Sequence, residues 1–586
     1  MFSWQDNLVI GVYFAFMVII GLAFSRSSKN SSDYFRGGGS MSWWMTGASV
    51  FMANFSAWTF VAASGRIYAT GTMIIFTSFI LQSVFGIILA IHLAHRYRRM
   101  RVISPVDAIY QRYGRTTEQI FAWHTAFSRV LFSGVALYTL CIFTAPLLGI
   151  GLGETMIIVG SVVVFMSVSG GSWAVVASDF IQHLVLCVIT VIMLVLTLSH
   201  KDVGGVSGFI EQLPPRMFDW TLHDQLPVLI IFVVALTMWQ FLQIYNLMMG
   251  AGRFLTVRSD SDAKKAAWFY SIGFLIGPFI WFVPPMAATF LFPDIASMFP
   301  DLKNPEEMAY MVVAVEVLPK GMLGMLGCGI FAATMSALDS SINQNSAVIV
   351  RNIYLPLLRP NASERELLIV GKSFSTLAGV IMITGGFVYA KYSNVDLFAF
   401  NQHFNAIVMM PLVIPLCLGL LVRRTPKITP VVAIFTLVGV SLILKFLLDY
   451  DALAASLGWQ PMSSRESSDL MSGVIYLAGG IVGTIIYLVA ALLHKRFPLK
   501  AKDQERLDEL YKNMETPVLA DSDEHRHTDR MQCRKMGGLC LSYGAVLMMG
   551  VFLPNDIKGR ICFLMCGAVV GGIGAILWRK QFKLIK

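Results

Sequence analysis

GCGIFAATMSALDSSINQNS (Gly327–Ser346) decides how this chain is read. It lies inside a run apolar enough to cross a membrane, yet it carries hydroxyls, amides and Asp339. Polar groups at hydrocarbon depth cost free energy unless they face protein, water or an ion. A second stretch, MANFSAWTFVAASG (Met52–Gly65), sets Asn, Ser and Thr among small residues in the middle of another apolar run. An apolar wall has no use for such residues. Helices broken at this depth expose backbone carbonyls that can hold a cation.

Outward from these two stretches the chain is membrane-like throughout. Its 586 residues are 56% hydrophobic and 14% charged, with mean hydropathy +0.66, where a soluble domain averages about 25% charged. Apolar runs predict about fifteen spanning helices. They fall near 7–25, 43–68, 71–95, 119–148, 154–168, 174–198, 226–251, 267–291, 321–350, 367–390, 397–421, 428–448, 470–494, 537–553 and 560–578. The first run, Leu8–Phe24, lacks a basic leader region and reads as a retained span. The polar stretch Lys495–Lys535, charged and poor in aromatics, reads as a flexible segment. Most of the eight cysteines sit in apolar runs, so no disulfide is expected.

The net charge of +10 needs no nucleic-acid partner. Basic residues cluster in alternate loops, at Arg26, Lys29 and Arg36, at Arg96–Arg101, at Arg253–Lys265 and at Arg423–Lys427. The positive-inside asymmetry predicts an outer N-terminus and a cytoplasmic C-terminus in a plasma membrane. The outer loops lack glycosylation sequons, which fits a bacterial inner membrane.

Four stretches then carry a resemblance: DYFRGGGSMSWW (Asp33–Trp44), SPVDAIYQRYG (Ser104–Gly114), GGSWAVVASDFIQ (Gly170–Gln182) and the run Leu318–Tyr354. In this order and spacing the chain resembles the sodium/solute symporter family of sodium–glucose, proline, iodide and sialic acid carriers, over roughly residues 5 to 495. The resemblance implies an all-α polytopic fold with two inverted five-helix repeats, a leucine-transporter-like core. It divides the chain into an extra N-terminal span and loop (1–42), a first repeat (43–198), an outer loop (199–225) and a second repeat (226–421). Two peripheral spans (422–494), a cytoplasmic linker (495–536) and a C-terminal hairpin (537–586) follow.

The resemblance also implies sodium as the transported coupling ion. Its site would use the carbonyls of Met52 and Phe55, the carbonyl of Ala333 and the hydroxyl of Ser336. Hard oxygen ligands suit an alkali cation. Ala337 departs from the pattern, because it offers no oxygen where the family has Ser or Thr. A water could fill that place, or the site could be weakened; Ser336 could also simply bond back to its own helix. A second ion in some members would take Asp179, Ser336, Ser340 and the position of Asp339. Two acids so close could instead share a proton, and Asp179 could instead pair with Arg129.

For the solute, the implied positions are Asn54 and Thr59 on the broken span, Gln82, Gln243 (with Gln240 and Asn246) and Gln402. Amides donate and accept, as hydroxyl-rich solutes require; each alone could equally join two helices. Arg129 aligns with a carboxylate-binding arginine of sialic acid carriers, and its planar fork suits a carboxylate.

No nucleotide fingerprint, metal cluster or nucleophilic triad spacing appears, so the chain does not read as an enzyme. The expectation is a sodium-coupled symporter of a small polar solute such as a sugar or sugar acid, with the solute and the lipid bilayer as its partners. No obligate protein partner is evident. A proton-coupled or sodium-independent carrier, and a transporter-like sensor, are the alternatives.

Overall fold

The computed structural model describes residues 3–25, 39–102, 104–218, 226–244, 246, 252–300, 302–392, 396–519 and 522–583, a few of them, Ser340 included, by backbone alone. DYFRGG (Asp33–Gly38) and the basic loop at Arg26–Arg36 lie outside these residues.

The described residues form helices and no sheet. In chain order the membrane helices begin with α1 (Trp4–Ser25), α2 (Trp43–Ala53), α3 (Ala62–Thr70), α4 (Met73–His92), α5 (Arg115–Leu148) and α6 (Leu152–Leu198). Next come α7 (Leu226–Ile244), α8 (Asp260–Ile276), α9 (Met322–Val348), α10 (Glu364–Tyr392), α11 (Leu397–Phe404) and α12 (Met410–Leu421). The chain continues with α13 (Thr429–Phe446), α14 (Ser464–Leu493), α15 (Ala501–Glu515), α16 (Ser522–Met549) and α17 (Ile557–Lys583). Among the described residues twelve helical stretches are long and apolar enough to cross a membrane, and 4–20 and 152–165 are shorter apolar helices. The broken segment α2–α3 corresponds to the expected span 43–68.

Two elements differ from the sequence reading. The expected spans 154–168 and 174–198 are joined without a break in helix α6, whose 47 residues would extend about 70 Å if straight, although its apolar stretches still fall at 152–165 and 175–198. The segment read as flexible is instead structured. In α15, Leu507, Leu510 and Met514 are buried on one face, while Asp503 meets Lys427 at 3.1 Å and Asp508 meets Arg423 at 2.8 Å. Burial pulls the Asp503 carboxyl up, but its bonds to Lys427 and Arg506 and their charges hold it below the usual carboxylate range; hydrogen bonds from Gln504 and Arg423 hold Asp508 there too, against a smaller pull of burial. Composition registered the charge but not the apolar stripe that spaces it.

Helix α9 runs through the centre, packed on α6, α5 and α1. Its N-terminus is capped from α1, where Asp6 Oδ1 accepts from Gly321 N at 2.8 Å and Gly324 N at 2.7 Å. A carboxylate there satisfies amides that have no partner within the helix and opposes the helix dipole. The hairpin α16–α17 docks on this same side. Phe16 stacks on Tyr543 with ring centroids 4.4 Å apart, and Gln5 Nε2 donates to Pro554 O at 3.1 Å. The two helices of the hairpin approach closely where Gly544 meets Gly571, since a Cβ on Gly544 would lie 2.6 Å from Gly571 N.

Candidate cation and solute site

The broken span is satisfied by its neighbour. Helix α2 stops at Ala53, Asn54 Nδ2 turns back to Val50 O at 2.8 Å, and Ser56 is extended with φ −157° and ψ 177°. The freed amide of Ala57 donates to Thr334 Oγ1 on α9 at 2.8 Å, while that hydroxyl donates to Ile330 O at 3.2 Å. The break is therefore fixed against the turn of α9 that carries Ala333, Ser336 and Ala337. Met52 and Phe55 flank it, both buried.

Ser49 lies one turn before Met52 on the same face of α2, and its hydroxyl donates to Asp179 Oδ2 on α6. Arg253 completes the group, with its guanidinium 3.5 Å from the same oxygen. Asp179 is wholly buried and Arg253 nearly so. Ser336 Oγ faces the Asp179 carboxylate, yet neither it nor Asp179 Oδ1 makes a hydrogen bond of normal geometry. Ser336 thus does not bond back to its own helix. Two buried oxygens, one of them charged, converge with their coordination incomplete, as a small cation requires. Asp339, one turn further along α9, lies within electrostatic range of both Asp179 and Arg253 and accepts from Asn343 Nδ2 at 3.2 Å. The side chain of Ser340 lies outside the described residues.

Arg129 is not the partner of Asp179. It donates to Gln344 Oε1 on α9, and Arg253 takes the place beside the carboxylate. From sequence, Arg253 reads only as one of the basic residues that orient the chain. Its burial depends on how the 252–258 loop folds inward. Ser49 is legible only once Met52 is assigned, as the residue three positions before it.

The candidate solute residues fall into separate groups. Thr59 is buried in the break, and its neighbour Trp58 stacks on Phe398 of α11, with centroids 5.9 Å apart, one turn from buried Gln402. Asn54 is exposed at the edge of the break. Gln82 donates to Tyr270 OH at 2.8 Å, Gln240 to Ser78 O at 3.5 Å, and Asn246 to Gln243 Oε1 at 2.9 Å. Gln82 thus bridges α4 to α8 and Gln240 bridges α7 to α4, while the Asn246–Gln243 bond is local. Over the Trp58–Phe398 stack, Arg66 sits 5.2 Å from the Phe398 ring and pairs with Asp469 of α14, burying a charge pair above the break.

A helix broken at membrane depth and fastened to a central helix, with a buried carboxylate beside it, is the architecture of a secondary transporter. The family model described as "Sodium:solute symporter family" matches residues 34–429, and the chain belongs to that family. It is a transporter, not an enzyme. The sodium/glucose cotransporter of Vibrio parahaemolyticus is 26% identical over 482 residues, covering 76% of this chain and 86% of that one. The sodium/sialic acid symporter SiaT of Proteus mirabilis is 23% identical, covering 65% and 77%. A solved Na+-coupled sialic acid symporter, in a substrate-bound outward-open state, superimposes with TM-score 0.65 at 21% identity over 83% of this chain and 98% of that one. The leucine-transporter-like core is shared with it.

Proposed function

We propose that this symporter moves a small polar solute, a sugar or a sugar acid such as sialic acid, with sodium, by alternating access between repeats at 43–198 and 226–421. The cation binds where the α2 break meets α9, held by the carbonyls of Met52, Phe55 and Ala333, by Ser336 and, through its carboxylate, by Asp179. Asn54, Thr59, Gln82, Gln243 and Gln402 contact the solute, and Arg129 takes a carboxylate where the solute bears one. The basic loops face the cytoplasm of a bacterial cell and the N-terminus lies outside.

The observation that carries this reading is the pairing of two incompletely coordinated buried oxygens, Asp179 Oδ1 and Ser336 Oγ, beside a helix break already fastened to α9 by Ala57 and Thr334. A cation there takes the free Oδ1 of Asp179 and ties α2, α6 and α9 together, so its arrival changes which side of the bundle opens. The names of the relatives support the solute class.

The test is uptake of radiolabelled sugars and sugar acids into proteoliposomes under an imposed sodium gradient. Accumulation that collapses when sodium is equal on both sides supports the proposal. Accumulation driven by a proton gradient alone would assign coupling to the Asp179–Asp339 pair instead, and binding without flux would make the protein a sensor.

A further inference from the structure

Beyond the family match, residues 500–519 and 522–532 close over the basic end of the bundle in a particular place. Asp529, near the start of α16, bridges two stretches of chain that lie far apart in sequence. Its Oδ1 lies 2.7 Å from the hydroxyl of Ser42, the residue that begins α2, and its Oδ2 pairs with Arg258. Gln532, one turn on, accepts from Ser42 N at 3.0 Å and donates to Ser40 O at 2.9 Å. Ser42 holds the N-cap position of α2 with its hydroxyl making no cap bond to its own helix, although Ser usually caps there; the hairpin engages it instead.

The preceding segment reinforces the same loop. Val518 O accepts from Asp260 N at 3.1 Å, and Arg99 bonds both Asp260, at 2.7 Å, and the carbonyls of Met514 and Glu515, at 3.3 Å. Met41 N donates to Thr256 O at 3.0 Å, so the two stretches also touch each other. Burial pulls the Arg258 guanidinium down, and its bonds to Asp529 and Asp262 more than offset this and hold it above its ordinary range.

Both stretches that Asp529 joins end on Asp179. Two turns along α2 from Ser42 is Ser49, whose hydroxyl donates to that carboxylate. Five residues back from Arg258 is Arg253, 3.5 Å from the same oxygen. Separating α2 from the 252–260 loop is the movement that would open the candidate cation site toward the basic end, and Asp529 spans that seam.

We propose that Asp529, with Gln532, is a positioning residue that latches the cytoplasmic mouth of the transporter, and that their bonds to Ser42 and Arg258 set how readily the cation site opens inward. The latch rests on the symport reading above. A bound state held by several buried polar contacts loses population when one of them is cut, and apparent affinity on the outer side falls by the fraction of molecules that have left the outward-competent state.

The experiment compares full-length wild type, Asp529→Ala, Asp529→Glu and Gln532→Ala in proteoliposomes. It measures the external sodium concentration for half-maximal uptake, the maximal rate per folded molecule, and the labelling rate of Cys533, buried beside Gln532, by a membrane-impermeant maleimide in unsealed membranes, with Cys533→Ser as control. The proposal predicts about fivefold weaker apparent sodium affinity and severalfold faster Cys533 labelling in Asp529→Ala. Asp529→Glu should recover most of both, and Gln532→Ala should give a smaller shift of the same sign. Uptake that falls only in proportion to lost folded protein, with sodium affinity and labelling rate unchanged, would overturn it. If the wild type shows no sodium dependence, the symport reading fails, and Cys533 labelling alone decides the latch: faster in Asp529→Ala supports it, unchanged overturns it.

Discussion

On the side of the break facing α6 and α9, the polar groups are short, buried and turned on one another: Ser49, Asp179, Arg253 and Ser336 meet around one carboxylate. On the side facing α4, α7 and α11, they are long amides bonded elsewhere, Gln82 to Tyr270 and Gln243 to Asn246. A cation of fixed radius can be met by a rigid set of oxygens built in advance. A solute with many hydroxyls needs side chains that exchange one hydrogen bond for another as it enters, each exchange being nearly neutral in free energy. On the proposed assignment, the contrast is that between a preformed cation site and a solute site assembled on binding.

The sharpest way to break the cation side is Asp179→Ala. It leaves the Arg253 guanidinium buried without that carboxylate, which costs about 3–5 kcal/mol and should appear as a large drop in melting temperature in detergent. Adding Arg253→Met should restore much of the stability and none of the sodium coupling. Recovery of coupling in the double variant would remove Asp179 from the site.

Next in size is a pH effect outside the spans. Glu307 is buried in the 305–308 turn and accepts from Leu397 N at 3.1 Å. Burial, with Asp396 and Glu306 nearby, pushes its carboxyl up to about 8. Its protonated form is the favoured one in the fold, so its contribution is fully present below the ordinary carboxylate range and is lost as pH rises through about 8. Thermal unfolding of the wild type should lose on the order of a few kcal/mol between pH 5 and 9 that Glu307→Gln does not lose. Parallel profiles for the two proteins would contradict this.

Thr334→Val tests the fastening between the halves. It strands the Ala57 amide at the break, so stability should fall by about 1–3 kcal/mol; an unchanged melting temperature would show that the break holds without α9. The smallest effect belongs to the solute side. Gln243→Ala should raise the KM for solute by roughly tenfold, about 1.4 kcal/mol, at saturating sodium, leaving the sodium dependence as it was. A shift in sodium dependence alone would place Gln243 on the wrong side of the comparison.

The sequence made the bundle legible because apolar length is a one-dimensional signal, and it made the α2–α3 break legible because Asn54 and Ser56 are out of place in hydrocarbon; the polar stretch around Asp339, read as a second interruption, is instead part of the unbroken helix α9. It did not disclose Arg253, since a basic residue in a loop looks the same whether it faces water or folds inward to Asp179. Nor did it disclose α15, whose charge hid the Leu507, Leu510 and Met514 stripe, or the docking of the hairpin through Asp529 and Gln532. Each of these depends on contacts between residues far apart in the chain, and one sequence carries no record of them. The pairing of Asp179 with Arg129 failed for the same reason: two cations could reach the acid by composition, and only the fold chooses between them.

The central claim is that the turn of α9 at Ser336 holds the coupling cation. The direct measurement is sodium-dependent solute uptake in proteoliposomes by wild type, Ser336→Ala and Ala337→Ser. The account predicts that Ser336→Ala raises the half-maximal sodium concentration by about tenfold, one lost ligand being worth about 1.4 kcal/mol, with maximal uptake kept at high sodium, and that Ala337→Ser lowers it by supplying the missing oxygen. Sodium curves that superimpose for all three proteins would contradict it.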